Sequence, residues 1–148
     1  MKPHSQLTLA FILTLAFAAD AQAYSSYMSR VPNTPNSCNT CHSSGGGSPR
    51  NAFGLAFDGN GLAWSDALAN ADSDSDGQSN GEELGDPCGT WSQGEAPARS
   101  SDLSNPGDSG STSTDGMAGS LLWYFDDDGD QVGDDDTTQH SCTQPDGY

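Results

Sequence analysis

Cations are nearly missing from this sequence. Four Lys and Arg residues stand against 21 Asp and Glu, for a formal net charge of −17. Lys2 is the only lysine, and the arginines are Arg30, Arg50 and Arg99. Binding phosphate backbones needs clustered cations, so nucleic acid is excluded as a partner class. The same balance suits a chain that attracts cations. Beyond residue 23 there is no isoleucine, and the only valines are Val31 and Val132. Leucines, a few alanines and the aromatics Phe53, Phe57, Trp64, Trp91, Trp123, Tyr124 and Phe125 are too small a supply for a conventional sheet core. Domains this thin usually need staples. Histidine is equally scarce: beyond residue 23 only His42 and His140 remain. No serine or cysteine sits in a recognisable nucleophile constellation, so a hydrolase is disfavoured and the many carboxylates read better as cation ligands.

The one long apolar run is "LTLAFILTLAFAA" at 7–19, after a lead containing Lys2 and before the small residues of "AQA" at 21–23. It is short for a membrane span and lacks a stop-transfer pattern, so it reads as a cleaved signal peptide over 1–23 with the mature chain starting at Tyr24. The expectation is an exported protein, periplasmic, secreted or at the cell surface, with no stable membrane insertion after cleavage.

What remains divides by composition into a domain at 24–99, a linker at 100–119 and an acidic segment at 120–148. In the first, "SPRNAFGLAFDGNGLAWSDALANA" reads as a turn, a short aromatic segment, a Gly/Asn turn and a helix from about Trp64 to Ala71 that Ser65 can cap. A helical turn at "GEEL" is stopped by "GDP". Residues 100–119, rich in Ser, Gly, Asp and Thr without periodicity, read as flexible. The fold class expected is a small, irregular, loop-rich α+β domain with short helices. Its available staples are calcium, disulfide and haem, and a disordered linker and an acidic C-terminal repeat follow it.

Calcium is the strongest chemical expectation. "DSDSDGQSNGEE" at 72–83 fits the EF-hand loop, with Asp72, Asp74 and Asp76 at positions 1, 3 and 5 and Gly77 at the sharp turn. The backbone carbonyl of Gln78, then Asn80 and the bidentate Glu83, complete the ligand positions. Ca²⁺ takes six to eight hard oxygens in irregular geometry, which alternating aspartates on a tight loop can supply. Ser79 stands where paired EF-hands place an apolar residue, and the flanking helices are short. The loop therefore resembles the single structural loops of dockerins or thrombospondin type-3 repeats, not a sensor. A second candidate set is Asp126, Asp128, Asp130 and Asp134 in "DDDGDQVGD" at 126–134, where Gln131 replaces a helpful glycine.

"SCNTCH" places Cys38, Cys41 and His42 in C-x-x-C-H, the attachment signature of c-type haem. Two thiols take the vinyl groups and the histidine ligates iron. The distal side is poorly supplied, since Met28, Met117 and His140 are the remaining candidates. A Cys38–Cys41 disulfide with an incidental His42 is the competing reading, and zinc on the same three residues is a third.

The block Pro49-Arg50-Asn51, Phe53-Gly54, Phe57, Trp64, Asn80-Gly81-Glu82-Glu83-Leu84-Gly85-Asp86-Pro87 and Trp91, with a fainter "SNPG" at 104–107, resembles the temptin family over roughly residues 24–107. The resemblance implies a small disulfide-stapled, calcium-bound extracellular fold, and these domains are named for a molluscan pheromone protein. In that family a cysteine near position 38 pairs with one where this chain has Ala69, so Cys38 lacks that partner. Cys88 matches a family cysteine, and its best remaining partner is Cys142, unless Cys142 pairs beyond the chain end. The segment from Trp123 to Tyr148 resembles a bacterial calcium-binding repeat that usually runs on to another cysteine, as in a piece of a longer surface protein. Two functions follow. One is an exported redox protein passing electrons through a haem to an unidentified redox partner. The other is a haem-free, calcium-stabilised binding or adhesion module with an extracellular protein ligand.

Overall fold

Asn51, Ser65 and Ser79 each start a short helix by accepting a hydrogen bond from an amide three residues on. Asn51 Oδ1 takes the Gly54 amide at 2.8 Å and opens α1, Ala52–Gly59. Ser65 Oγ takes the Leu68 amide at 3.2 Å and opens α2, Asp66–Ala69. Ser79 opens α3, Asn80–Leu84, through a reciprocal cap in which Glu82 reaches back to the Ser79 amide at 2.6 Å. Gly85, at φ 76°, ends α3 in the left-handed conformation. The computed structural model describes residues 25–130 and 132–148. The expected signal peptide, its cleavage point before Tyr24, and Gln131 lie outside the described residues.

The helix expected from about Trp64 to Ala71 forms as the shorter α2 with Ser65 as its cap, and the turn expected at "GEEL" forms as α3. The aromatic segment before them is a helix instead. Phe53 and Phe57, one turn apart on α1, stack at 6.1 Å and are buried with Val31, Leu68 and Leu84. Tyr27, Cys41, Ala56, Leu62 and Trp64 pack around this core. Gly54 belongs in that helix because it lies against the chain at Cys41, where a Cβ would sit 2.0 Å from the Cys41 carbonyl oxygen. Two 3₁₀ turns, Ser25–Arg30 and Ser37–Thr40, lead in.

The interior is unusually polar. Thr40, Asn80, Glu83, Asp86, Arg99, Ser104, Asn105 and Ser113 are buried, so paired hydrogen bonds must replace part of the missing apolar area. Asp86 shows how: its carboxylate accepts from the Trp64 indole at 2.7 Å and from the Thr90 and Trp91 amides at 3.0 Å each.

The linker expectation for 100–119 is corrected here. This segment has no helix or strand but is fixed on α3: the Ser104 amide donates to Glu83 O at 3.1 Å, and Ser113 pairs reciprocally with the Gln78 side chain at 2.7 and 2.9 Å. Arg99 fastens both ends, donating to the carbonyls of Glu82, Ser101, Asp102, Gly116 and Ala118. A composition without hydrophobic periodicity concealed a segment held by side chain to backbone bonds.

Strands β1, Leu121–Phe125, and β2, Asp134–Ser141, form an antiparallel two-stranded sheet with Leu121 opposite Ser141 and an irregularity at Tyr124/Phe125. Phe125 meets Tyr148 edge to face at 5.3 Å. The Cys88–Cys142 disulfide ties this hairpin to the turn after α3. The architecture is thus a small loop-rich α+β fold with short helices, one two-stranded sheet and one disulfide. Among the described residues no helix is long and apolar enough to cross a membrane.

Candidate metal centre

The loop between α2 and α3 brings three carboxylates to one point. Oxygens of Asp72, Asp74 and Asp76 lie within 4.8 Å of one another. Two of the three residues also shape the loop. Asp72 accepts the Ser75 amide at 2.8 Å and the Gly77 amide at 3.1 Å, and Asp76 Oδ1 accepts the Gln78 amide at 2.7 Å. Gly77, at φ 98°, makes the sharp turn expected of it.

The remaining oxygens are the informative ones. Both oxygens of Asp74, Asp76 Oδ2, Asn80 Oδ1 and Glu83 Oε2 are buried with no hydrogen-bond partner. Buried acceptors are almost always paired, and carboxylates most of all. Glu83 is fully buried; its other oxygen accepts from Ser104 Oγ at 2.9 Å. Burial pushes the Glu83 carboxyl up from 4.5 to about 8. The Ser104 hydroxyl pulls the other way, while Asp74, Asp76 and Asp72 push further up. Asp74 is also raised, first by burial and then by Asp76, with the backbone at Asp76 and Asp108 pulling the other way. Asp72, Asp74 and Asp76 converge, Glu83 lies near enough to be raised by all three, and the unpaired oxygens fit a hard divalent cation. Gln78 spends its side chain on Ser113, which leaves its backbone carbonyl for the ligand role the spacing assigns to it. Asn80 Nδ2 donates to Leu68 O at 2.7 Å, which holds α3 and leaves the unpartnered Oδ1 for the ligand role the spacing assigns to it.

The second acidic set converges only in part. Oxygens of Asp126, Asp128 and Asp130 come within 4.8 Å, but Asp134 begins β2, with its Oδ1 accepting the Asp136 amide at 3.0 Å. Oxygens of Asp126, Asp128 and Asp130 accept the amides of Gly129, Asp130 and Val132. No carboxylate oxygen in this loop is buried and unpartnered among the described residues.

Cys38 and Cys41 flank the end of the 3₁₀ turn as free thiols, so the disulfide expected as an alternative is not formed. Cysteine and histidine ligand atoms at 38, 41 and 42 do not make a converging trio of the kind the aspartates make, which disfavours zinc. His42 Nδ1 lies 2.7 Å from Ser48 O and, facing an acceptor, donates to it. That orientation suits a ligand, but the surroundings do not fit a porphyrin. The cavity beside His42 measures about 290 Å³ and is lined by Asn36, Asn39, Ser43, Asn51, Asn105 and Asp108, a polar setting for a broad apolar plate. Cys41 faces the apolar core. Burial, then the neighbouring Cys38, pushes its thiol up from 9.0 to about 11 against the pull of Arg50. At about pH 8, iodoacetamide is therefore expected to label Cys41 about 100-fold more slowly than an unshifted thiol. Peptide mapping checks this, and labelling at the ordinary rate would contradict it.

Sequence reasoning missed Ser104 and Ser113, which cover Glu83 by joining their hydroxyls at 3.0 Å. The "SNPG" similarity was the signal that 104–107 belongs with the domain.

The Temptin C-terminal family matches residues 21–108. Over 62 residues the chain is 56% identical to temptin of Aplysia californica, covering 42% of this chain and 50% of that protein. The chain thus spans about half the length of the curated relative it matches. No solved structure matches it. On the extent of the family match, this chain belongs to the Temptin C-terminal family.

Proposed function

We propose that this protein is an exported temptin-type binding module, braced by calcium at the 72–83 loop and free of haem. One observation carries the reading: oxygens of Asp74, Asp76 and Glu83 are buried without a hydrogen-bond partner on the loop where the carboxylates of Asp72, Asp74 and Asp76 converge. Asp72, Asp74, Asp76, the Gln78 carbonyl, Asn80 and Glu83 are the residues that would hold the ion. Calcium supplies the charge that lets these carboxylates stay ionised and folded together. Export follows from the 1–23 leader and the family resemblance, and the strongly acidic surface suits a calcium-rich exterior. The loop at 126–130, whose acids already hold backbone amides, is a weaker second site.

Calorimetric titration of the chelated protein with calcium tests this. The expected result is one dominant site that Asp74→Asn removes, with an intact mass showing no covalent haem after export from a bacterium able to attach it. Absence of any calcium heat would refute the calcium reading. A haem adduct lost in Cys38→Ser/Cys41→Ser would restore the electron-transfer reading.

A further inference from the structure

A second feature is lined by no residue of the acidic loop. A cavity of about 560 Å³ opens between the 25–30 turn, residues 62–64 and residues 91–93. Trp64 and Trp91 both line it, together with Ser29, Arg30, Ser92 and Gln93. Neither indole N–H is available to a ligand. Trp64 Nε1 donates to Asp86 at 2.7 Å and Trp91 Nε1 to Glu95 O at 2.8 Å. Buried Asp86 also takes the Trp91 amide, so one carboxylate fixes the position of both aromatic residues. What the rings offer the cavity is carbon surface, held rigid in advance.

The rim has the opposite character. Ser29 and Ser92 bring hydroxyls, and the Gln93 amide reaches Ser29 Oγ at 3.3 Å. Arg30 stacks on Tyr27 at 4.7 Å and donates to Leu62 O at 3.2 Å. No ion pair holds it among the described residues, which leaves guanidinium N–H groups for a neutral acceptor. The Ser29 hydroxyl also donates to Ser26 O at 3.0 Å, so the groups that a purely apolar ligand would strip of water are the Ser92 hydroxyl and the remaining Arg30 N–H groups, at a cost. An anionic ligand would meet a chain of net charge −17 with a single arginine at this site. A pyranose ring satisfies both halves, with a C–H face for the indoles and a rim of hydroxyls that both donate and accept. The volume lies within the range of small-ligand sites.

We infer that this cavity binds a short neutral saccharide, with Trp64 and Trp91 as its platform and Ser29, Arg30, Ser92 and Gln93 as its polar contacts. The inference does not depend on the calcium loop, since the cavity is built by Asp86 and the tryptophans.

The test is titration of the full exported chain, with calcium present, against cellotriose, chitotriose, maltotriose and mannotriose, read by tryptophan fluorescence. At least one trisaccharide is expected to give a saturable change, weakened about tenfold or more by Trp91→Ala. Trp91 lies outside the apolar core and its backbone amide, not its ring, serves Asp86, so this variant should keep its Tm. If its Tm falls, the exposed Gln93→Ala carries the same test, with a loss of about tenfold expected. No saturable response to any of the four sugars would overturn the inference. So would equal affinity in the folded variant, or a preference for free tryptophan or an apolar tripeptide over every sugar.

Discussion

Calcium added to the chelated protein at about pH 7.5 is expected to raise its Tm by about 10–20 °C once its concentration reaches about 100 times Kd. That concentration contributes about 2.7 kcal/mol through linkage, and a domain of this size shifts by roughly 4–8 °C per kcal/mol. Glu83 makes the prediction specific. Its carboxyl rises from 4.5 to about 8 on folding without metal, so between those values the folded chain holds a proton that the unfolded chain has lost. The stability associated with that proton is complete below pH 4.5 and lost as the pH climbs through about 8. Lowering the pH from about 8 to 5 should therefore stabilise the chelated protein. With calcium bound the sign reverses, because protonating Glu83 expels the ion. Glu83→Gln, which keeps the shape and an acceptor for Ser104, should raise the Tm of the chelated protein at about pH 7.5 and remove most of the calcium response. Thermal melts of both proteins with and without calcium check all of this. An unchanged calcium response in Glu83→Gln would show that Glu83 is no ligand.

The contrast between what was legible and what was not follows from the range of the interactions. Asp72, Asp74, Asp76, Gly77 and Glu83 lie within one turn-and-helix unit, so spacing alone places them, and three of their carboxylates do converge. Asp134 failed the same logic because the irregular hairpin pairs it with Phe125 and draws it into β2. The helix α1 carried a readable sign, Phe53 and Phe57 one turn apart, which the reading of a short aromatic segment between two turns did not use. Only the structure shows that Gly54 is small because the Cys41 carbonyl presses on it. Asp86 read simply as part of a helix stop. Its hold on two tryptophans, one of them 22 residues back in the chain, leaves no periodic trace. In a chain short of apolar residues, much of the tertiary structure is carried by such individual polar bonds, and sequence periodicity does not report them.

Arg99 is the extreme case and gives the second large expected effect. It is 8% exposed in a protein with three arginines, and its guanidinium serves five backbone carbonyls, from Glu82 in α3 to Ala118. Its own carbonyl accepts from Asn33 Nδ2 at 2.9 Å, which ties the N-terminal turn to the same point. Arg99→Ala should cost about 3–5 kcal/mol, since it strands several buried acceptors and opens a cavity where the side chain lay. Arg99→Lys should recover little, because a single ammonium cannot reproduce a planar fork that reaches carbonyls on different sides. The loss should also spread in a definite direction. Ser104 and Ser113 cover Glu83 only while 100–119 is held down. Loosening that segment exposes Glu83 to water, so the variant should lose calcium affinity although it touches no ligand. Urea unfolding, calcium titration and limited proteolysis read the three consequences separately, with new cleavage expected between residues 100 and 119. A variant within about 1 kcal/mol of wild type, uncleaved and with unchanged calcium affinity, would mean that the segment is held by its serines and asparagine alone.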